Sequence, residues 1–559
     1  MQNISTKQKL IVMLAVMSGL FLVALDQTII ATALGAIVQE FGSYTSLGFV
    51  VTAYMLTTTV TVPLAGKFSD MYGRRKVLLT GVVIFTVGSL LSGLAPSMGW
   101  LIAWRALQGI GGGIITANAF TIVGDLFTPR ERGKWQGLIG AVFGMSSVIG
   151  PLLGGWLTDG HTLLGLTTDW RWTFLINVPI GIVAGIVIMR YCPAIKHGGK
   201  HTPDYAGAAL ITVALSALVL AVDNTEVVFK TLIDSGLTLS FIKGTLAVIA
   251  ILSAAAFVWV ESRAKQPILP LSFFKNRTYS LMVMAALLFG AAFLGAILYL
   301  TQFNQQVYGA TASSAGLMLL PMVGGMMISS ITTGRLVSKF GRYKVFLMSG
   351  FAMAALSVLA LIILQASSPY WHEAVVMFFA GLGLGMVMPI LNLSVQNEFA
   401  QKNLGAATAS VQLFRGLGST IGTALLSGVL ATGIASSIGN PSDISYIQTL
   451  KSSPQAAQML EGEITADSLL RINMQKDIIR DGAEQGIARA PIPESAKKSQ
   501  VDNFVKQQDS FSQQVVEAFT QSLHQVFMIS SVLMVMAFAL VFFVREKPLR
   551  DTKSTLTAE

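Results

Sequence analysis

The sequence predicts an all-α polytopic membrane protein: two pseudo-symmetric six-helix bundles with a two-helix insert between them, fourteen transmembrane helices in all. Three observations predict it. Of 559 residues, 53% are hydrophobic and 12% charged, about half the charged share of a soluble domain. The apolar residues gather in long blocks, and blocks of about 18 residues need lipid around them. A glycine-spaced basic motif recurs after the second and tenth blocks.

In chain order, the first span, Leu10 to Leu34, is too long and too closely followed by a second to be a cleaved signal peptide, and no small-residue cleavage site follows a short apolar core. It stays in the mature chain. Leu47–Leu64, Val77–Leu94, Gly99–Val123, Gly137–Leu157 and Trp172–Ile188 complete a first bundle, assigned to residues 1–196. Gly207–Val222 and Gly244–Val260 form the insert, residues 197–265. Tyr279–Leu300, Ala315–Thr333, Val345–Leu364, Ala374–Val395, Ala406–Thr432 and Phe527–Val544 complete a second bundle, residues 266–559.

Basic residues orient the chain. Alternate connectors, from Lys7 and Lys9 through Arg74, Arg75 and Lys76 to Arg545 and Lys547, hold 25 of the 38 basic residues, whereas the opposite short connectors hold only Arg171, Lys230 and Lys243. Both termini are therefore expected in the cytoplasm of a multi-pass cell-membrane protein. The formal charge of +10 does not indicate a nucleic-acid partner, because these residues lie between apolar blocks and not on one soluble face.

The connector 433–525 differs in kind. It carries 8 basic and 11 acidic residues with prolines at 441, 454, 491 and 493, and reads as an extracytoplasmic loop. Within it, Val501, Phe504, Phe511, Val515, Phe519, Leu523 and Val526 recur at roughly helical spacing, which predicts an amphipathic helix leading into the last span. Whether this loop is only a solvated cap or also a lid is left open by its composition.

Cys192 is the only cysteine, and the five histidines show no ligand spacing, so neither a metal site nor a cofactor is expected. No GxxxxGK[ST] pattern occurs and no cytoplasmic connector is long enough for a nucleotide-binding domain, which excludes an ATP-driven pump. An enzyme would need a catalytic cluster, and the deep ionisable residues read from span position are only Asp26, Arg105 and Arg415.

The repeated motif reads Gly66-Lys-Phe-Ser-Asp70-Met-Tyr-Gly73-Arg74-Arg75-Lys76 in the first half and Gly334-Arg-Leu-Val-Ser338-Lys-Phe-Gly341-Arg342-Tyr-Lys344 in the second. A shared motif at matching places in two halves points to a duplicated transporter architecture, with the solute site near the membrane midplane. The first copy resembles the signature loop of the major facilitator superfamily. Gly144-x5-Gly150-Pro151-x2-Gly154-Gly155 resembles that superfamily's exporter motif, and Leu101-x3-Arg105-x2-Gln108-Gly109-x-Gly111 the motif linked to proton coupling. Leu25-Asp26-x2-Ile29-x2-Thr32-Ala33-Leu34 and Trp170-Arg171-Trp172-x-Phe174-x-Ile176-Asn177-x-Pro179 resemble its fourteen-spanner drug/proton antiporter branch. The resemblance covers the chain except for the outer loop, and implies a multidrug efflux transporter that confers antibiotic resistance. It departs from the pattern at Ser338, where the first copy has Asp70.

The residues can be read beside that resemblance. An ionised carboxylate in a span costs roughly 2.5 to 3.5 kcal/mol, so Asp26 should face a cavity or a partner. At about 1.5 Å per residue, Asp26 lies about 12 Å and Arg105 about 9 Å below the outer ends of their spans, so the two can meet. They form either a proton-coupling pair or a structural ion pair. Arg415 has no obvious carboxylate counterpart. At the cytoplasmic edge, Gly66, Asp70, Gly73 and Arg74 form either a charge latch between the halves or a topology anchor. In the fifth span, Gly144, Gly150, Pro151 and Gly154 form a hinge or a static packing seam. Tyr54, Asn118, Tyr299, Gln302, Asn392 and Gln412 are candidates to line a substrate cavity, with Met322, Met326 and Met388 as adaptable wall.

Duplicated halves with a deep charge pair point to secondary transport. The resemblance implies export of lipophilic, often cationic drugs in exchange for protons by a monomer in contact with membrane lipids. Proton-coupled export of an endogenous lipid, peptide or metabolite is the alternative. If Asp26 alone carries protons, the simplest exchange is one per substrate. A second would then fall to a group such as Asp125 or Glu398 at the membrane edge.

Overall fold

The computed structural model describes residues 5–41, 47–158, 160–163, 166–193, 204–222, 225–310, 312–452, 464–489 and 493–549. The connector holding Lys196 and Lys200, and with it the boundary at 196–197, lies outside the described residues, as do 453–463 and 490–492 of the 433–525 loop.

Apolar runs too long for a soluble core become helices because lipid leaves every backbone polar group to be satisfied within its own segment. The first half comprises α1 (Thr6–Phe41), α2 (Leu47–Tyr72), α3 (Arg74–Gly93), α4 (Met98–Leu126), α5 (Pro129–Thr158) and α6 (Asn177–Tyr191). A reciprocal cap starts α5: the Thr128 amide donates to Glu131 Oε2 at 3.0 Å and the Glu131 amide to Thr128 Oγ1 at 3.4 Å. A two-residue antiparallel pairing, Thr162–Leu163 with Leu166–Thr167, and the short helix Trp172–Leu175 connect α5 to α6. The insert is α7 (Tyr205–Val222) and α8 (Leu239–Glu261). The second half comprises α9 (Arg277–Tyr308), α10 (Leu320–Phe340), α11 (Lys344–Ala360), α12 (Tyr370–Glu398) and α13 (Leu404–Ile438). The loop helices α14 (Ser445–Ser452), α15 (Ala466–Met474) and α16 (Lys476–Arg489) follow, and then α17 (Glu494–Phe542).

Thirteen of these helices are long and apolar enough to cross a membrane. The fourteenth expected span is α10, whose sequence LPMVGGMMISSITTGRLVSKF is too polar to be counted among them. It is shielded by protein instead, packing on α5 and α12. The hydropathy block at Ala315–Thr333 is accordingly displaced: a short helix, Ala312–Met318, ends at Leu319, and α10 runs on through the signature motif.

The last span differs more. The amphipathic run and the span form one helix of 49 residues, about 73 Å long. Its first half buries Phe504, Phe511, Val515, Phe519 and Leu523, and the helix as a whole packs on the loop helices and on α9, α11 and α13. The loop is therefore a folded cap continuous with the membrane helix.

The two halves repeat one packing scheme. In the first, α1 packs on α5 and α6, α4 on α2 and α3, and α3 on α6. In the second, α9 packs on α13 and α17, α12 on α10 and α11, and α11 on α17. The halves meet through α2 with α13 and α5 with α10, two contacts exchanged by the pseudo-two-fold relation. The insert packs α7 against α2 and α13, burying Ile211 and Leu215 beside Val60 and Leu413 and so covering one seam between the halves. We call the end of the helices that bears the basic connectors the basic face, and the end that bears α14–α16 the loop face.

Glycine sets the close approach of α9 to α13. A Cβ at Gly422 would lie 2.6 Å from the Ala291 Cβ, whereas Gly428, on the same helix, has nothing within 4 Å. Gly422→Val should destabilise the protein by about 1–3 kcal/mol through overpacking and lower its melting temperature in detergent. Gly428→Val, with the same helix penalty and open space, should leave the melting temperature within error. Equal losses in both variants would remove close packing as the reason for Gly422.

Candidate functional site

Asp26 on α1 and Arg105 on α4 meet at the centre of the first half, both 1% exposed or less. Arg105 Nη1 lies 2.5 Å from Asp26 Oδ2 and donates to Gln108 Oε1 at 2.8 Å, while Arg105 Nε donates to the Val50 carbonyl at 3.3 Å. The other carboxylate oxygen accepts from Gln108 Nε2 at 2.9 Å and Asn177 Nδ2 at 3.4 Å. Ser89 on α3 ties the donors together, accepting from Gln108 at 3.1 Å and Asn177 at 3.0 Å while donating to the Phe174 carbonyl at 2.9 Å. The guanidinium lies over the Tyr54 ring at 4.3 Å and near Phe174 at 5.5 Å. Four helices thus converge on the Asp26 carboxylate of α1: α4 and α6 supply the donors, α3 steadies them and α2 covers the guanidinium.

Three members of this node were legible in motifs: Asp26, Arg105 and Gln108. Asn177 stood in a quoted motif without a role, and Ser89 carried no signal, because a single serine in an apolar helix reads as neutral. Tyr54, expected in the cavity, is 1% exposed and packs on Arg105.

The motif Trp170-Arg171-Trp172 braces the loop-face end of α1. Arg171 donates to both oxygens of Glu40, at 2.5 and 2.8 Å, and Trp170 Nε1 to Glu40 Oε2 at 2.7 Å. The Arg171 hydrogen bond, ahead of all other influences, holds the Glu40 carboxyl below its ordinary range.

At the basic face, Gly73 takes φ 97° and Gly341 φ 69°, so both motif copies turn through a region that favours glycine. Arg74, 0% exposed, pairs with Asp70 and donates to Asp125 Oδ2 and Ser69 Oγ, both at 2.6 Å. Asp70 reaches across the halves and accepts from the amides of Gly405 at 3.2 Å and Ala406 at 2.9 Å. It therefore caps α13, whose own Asn403 supplies no side-chain cap, and sets a negative charge at a helix N-terminus. A Cβ at Gly66 would sit 2.8 Å from the Gly405 carbonyl oxygen, so only glycine allows this approach.

In the second copy Ser338 stands where the first has Asp70. Ser338 Oγ accepts from the Lys134 amide at 3.1 Å, Arg130 donates to the carbonyls of Ser338 at 2.7 Å and Lys339 at 2.6 Å, and Gly334 faces Gly133. Gln396 adds a third link, donating to the Phe120 carbonyl at 3.0 Å and accepting from Gln136 at 2.9 Å. These bonds cluster on the basic face, which is closed.

The glycines of α5 serve two partners. A Cβ at Gly144 would lie 3.1 Å from Met327 of the other half, whereas one at Gly150 would lie 2.7 Å from Thr28 Cβ and one at Gly154 2.8 Å from the Ile29 carbonyl, both on α1. Pro151 stands near Gly316, whose Cβ would be 3.4 Å away. The helix is thus held by the opposite half at one end and by its own half at the other.

Of the remaining cavity candidates, Gln412 donates to Asn392 Oδ1 at 3.1 Å, Asn118 donates to the Ile114 carbonyl at 2.8 Å, and Tyr299 is 2% exposed. Asn118 Oδ1, Gln302 Oε1 and Gln412 Oε1 accept no hydrogen bond among the described residues. Arg415, partly exposed within the bundle, makes no ion pair among the described residues.

Span position alone undercounts the deep carboxylates. Glu373 lies four residues into α12 and is 0% exposed. The apolar block begins at Ala374, but the helix starts earlier because Pro369 holds extended backbone just before Tyr370.

Residues 16–423 match the description of the Major Facilitator Superfamily. The chain is 39% identical over 412 residues to the multidrug transporter protein MdtP of Bacillus subtilis, covering 74% of this chain and 73% of that protein. It is 34% identical over 464 residues to multidrug resistance protein 3 of the same organism, covering 80% of this chain and 88% of that one. The proton:xylose symporter XylE shares the fold at a TM-score of 0.58 with 14% identity, over 97% of this chain and 98% of the other. Matched over most of its length, with both halves and both signature loops in place, this chain belongs to the Major Facilitator Superfamily.

Proposed function

We propose that the protein is a secondary active transporter that exports lipophilic, often cationic drugs or toxic compounds in exchange for protons by alternating access. Export of drugs is supported by the relatives named above, one a multidrug transporter protein and one a multidrug resistance protein. One observation carries the proton reading: Asp26 is fully buried, yet its compensation comes from Arg105 and the neutral donors Gln108 and Asn177 on α4 and α6, which can move relative to α1. A carboxylate balanced by one guanidinium gains or loses proton affinity as that partner approaches or withdraws. The basic face is the cytoplasmic one in this reading, both termini lie inside, and the arrangement described is closed to the cytoplasm. Residues 1–196 and 266–559 are the two bundles that rock, 197–265 the insert, and a monomer with its surrounding lipid suffices. Asn118, Asn392, Gln412 and Gln302 supply polar contacts to the solute, and Met322, Met326 and Met388 an adaptable wall.

Asp26→Asn should insert and fold but uncouple transport from protons, because the amide keeps the shape and one acceptor oxygen and loses the titratable one. Substrate-induced proton release from purified protein and drug efflux from energised vesicles measure this. Full activity in both assays would remove Asp26 from the mechanism.

Asp70→Asn weakens the charge-assisted bonds to Arg74 and to the α13 amides, worth about 1.5–3 kcal/mol, which favours opening of the basic face by roughly 10- to 100-fold. Turnover should fall while substrate binding is retained. Gly73→Val should act in the same direction through its backbone angle. Parallel loss of binding and transport would count against a latch.

A further inference from the structure

Glu373, a buried carboxylate, takes no part in the site described above. Glu373, 0% exposed, sits in the first turn of α12 at the loop face. Asn304 in the last turns of α9, its amide oriented to donate, places its nitrogen 2.8 Å from one carboxylate oxygen and 3.1 Å from the other. Tyr308 and Tyr370 close over the pair with rings edge-on at 6.4 Å, their hydroxyls donating to the carbonyls of Ser368 at 2.9 Å and Met318 at 2.7 Å.

No cation of the described residues forms an ion pair with it. The titratable groups facing it are Tyr308 from α9 and Tyr370 from α12. Other ionisable groups at this end are engaged elsewhere: the exposed His372 against Trp371, His524 on the Leu364 carbonyl, Lys476 on Ser512 and Arg480 on Asp509. The alternatives named from sequence are balanced by cations, Asp125 by Arg74 at 2.6 Å and Glu398 by Lys547 at 2.7 Å.

A buried carboxylate with one amide and no cation is costly when ionised and far less so as the neutral acid. Ionisation must therefore be met by water, and water reaches this site by parting α9 from α12. We propose that Glu373 is a second proton-binding site, distinct from Asp26, whose proton clasps α9 to α12 at the outer face. The step is one of protonation alone: a proton from the outer solution binds the carboxylate and the clasp closes; its loss leaves a charge that the clasp cannot hold dry. Just beyond it, Gln306 is tied to the loop cap through the Leu470 carbonyl and Asn473, at 3.1 and 2.7 Å, so movement of α9 is passed to the cap. The inference deepens the proton-linked reading, and Asp26→Asn separates the two.

Probes at the exposed positions Leu298→Cys on α9 and Val375→Cys on α12, with Cys192→Ser, report the separation of the helices by distance measurement in nanodiscs. The titration covers about pH 4 to 9, the range in which solvated and buried carboxyls ionise. The separation should widen as pH rises. Glu373→Gln, which copies the protonated group, should stay closed throughout, while Asp26→Asn should keep the full pH response. Asn304→Leu, a second variant that leaves the carboxyl in place, removes the only donor to the ionised form, so the opening should move to higher pH by about tenfold or more in proton affinity. A separation that ignores pH in the parent protein, a Glu373→Gln response equal to the parent's, or an Asn304→Leu midpoint that stays put would each overturn the proposal. Loss of the response in Asp26→Asn would reassign it to the coupling pair.

Discussion

A charge inside a membrane protein is tolerated only where protein replaces the water it has lost, and the architecture of this chain follows from that constraint. Asp26 is the clearest case. Its two oxygens take donors from α4 and α6, with Ser89 of α3 steadying the donors and the Tyr54 ring of α2 covering Arg105. Helices that would otherwise pack by shape alone are thereby given a shared centre, and any motion of one changes the electrostatic balance at the carboxylate.

The same constraint acts differently at the basic face. Here Asp70 and Arg74 are buried by the meeting of the two halves, and Asp70 finds its second set of donors in the backbone of the opposite half. That arrangement exists only while the halves touch. The second signature loop makes the equivalent contact with a neutral serine and with backbone carbonyls that accept from Arg130, so the seam is asymmetric: the loop supplies a carboxylate on one side and neutral acceptors on the other. Close approach at Gly66, Gly133 and Gly334 brings both sides within reach of these bonds.

The loop cap and α17 extend the argument beyond the bilayer. A continuous helix of 49 residues couples the cap to the membrane bundle without a hinge in the backbone. The apolar stripe from Phe504 to Val526, too polar on its other face to enter lipid, is buried within the protein, in a helix that packs on the loop helices, α9 and α13. Glu373 lies beneath that assembly, at the one end of the second half where a carboxylate is buried with amide and phenol groups alone.

The sequence by itself determined the class, the count of spans and the pairing of halves, because apolar length and a repeated glycine-basic motif are local properties that lipid and backbone geometry translate directly into helices. It also singled out Asp26 and Arg105, since a charge in an apolar block stands out against its neighbours. It ended the tenth span at Thr333, whereas α10, covered by α5 and α12, continues to Phe340, and the stripe 501–526 that it led into the last span is one continuous helix with it. Only the tertiary structure decided which polar residues converge. Ser89 and Asn177 join Asp26, Tyr54 leaves the expected cavity to pack on Arg105, and Glu373 passes from a connector to a sealed interior. Burial and partnership depend on residues tens or hundreds of positions away, and the free energy of a charge is set by those neighbours and not by its own place in the chain.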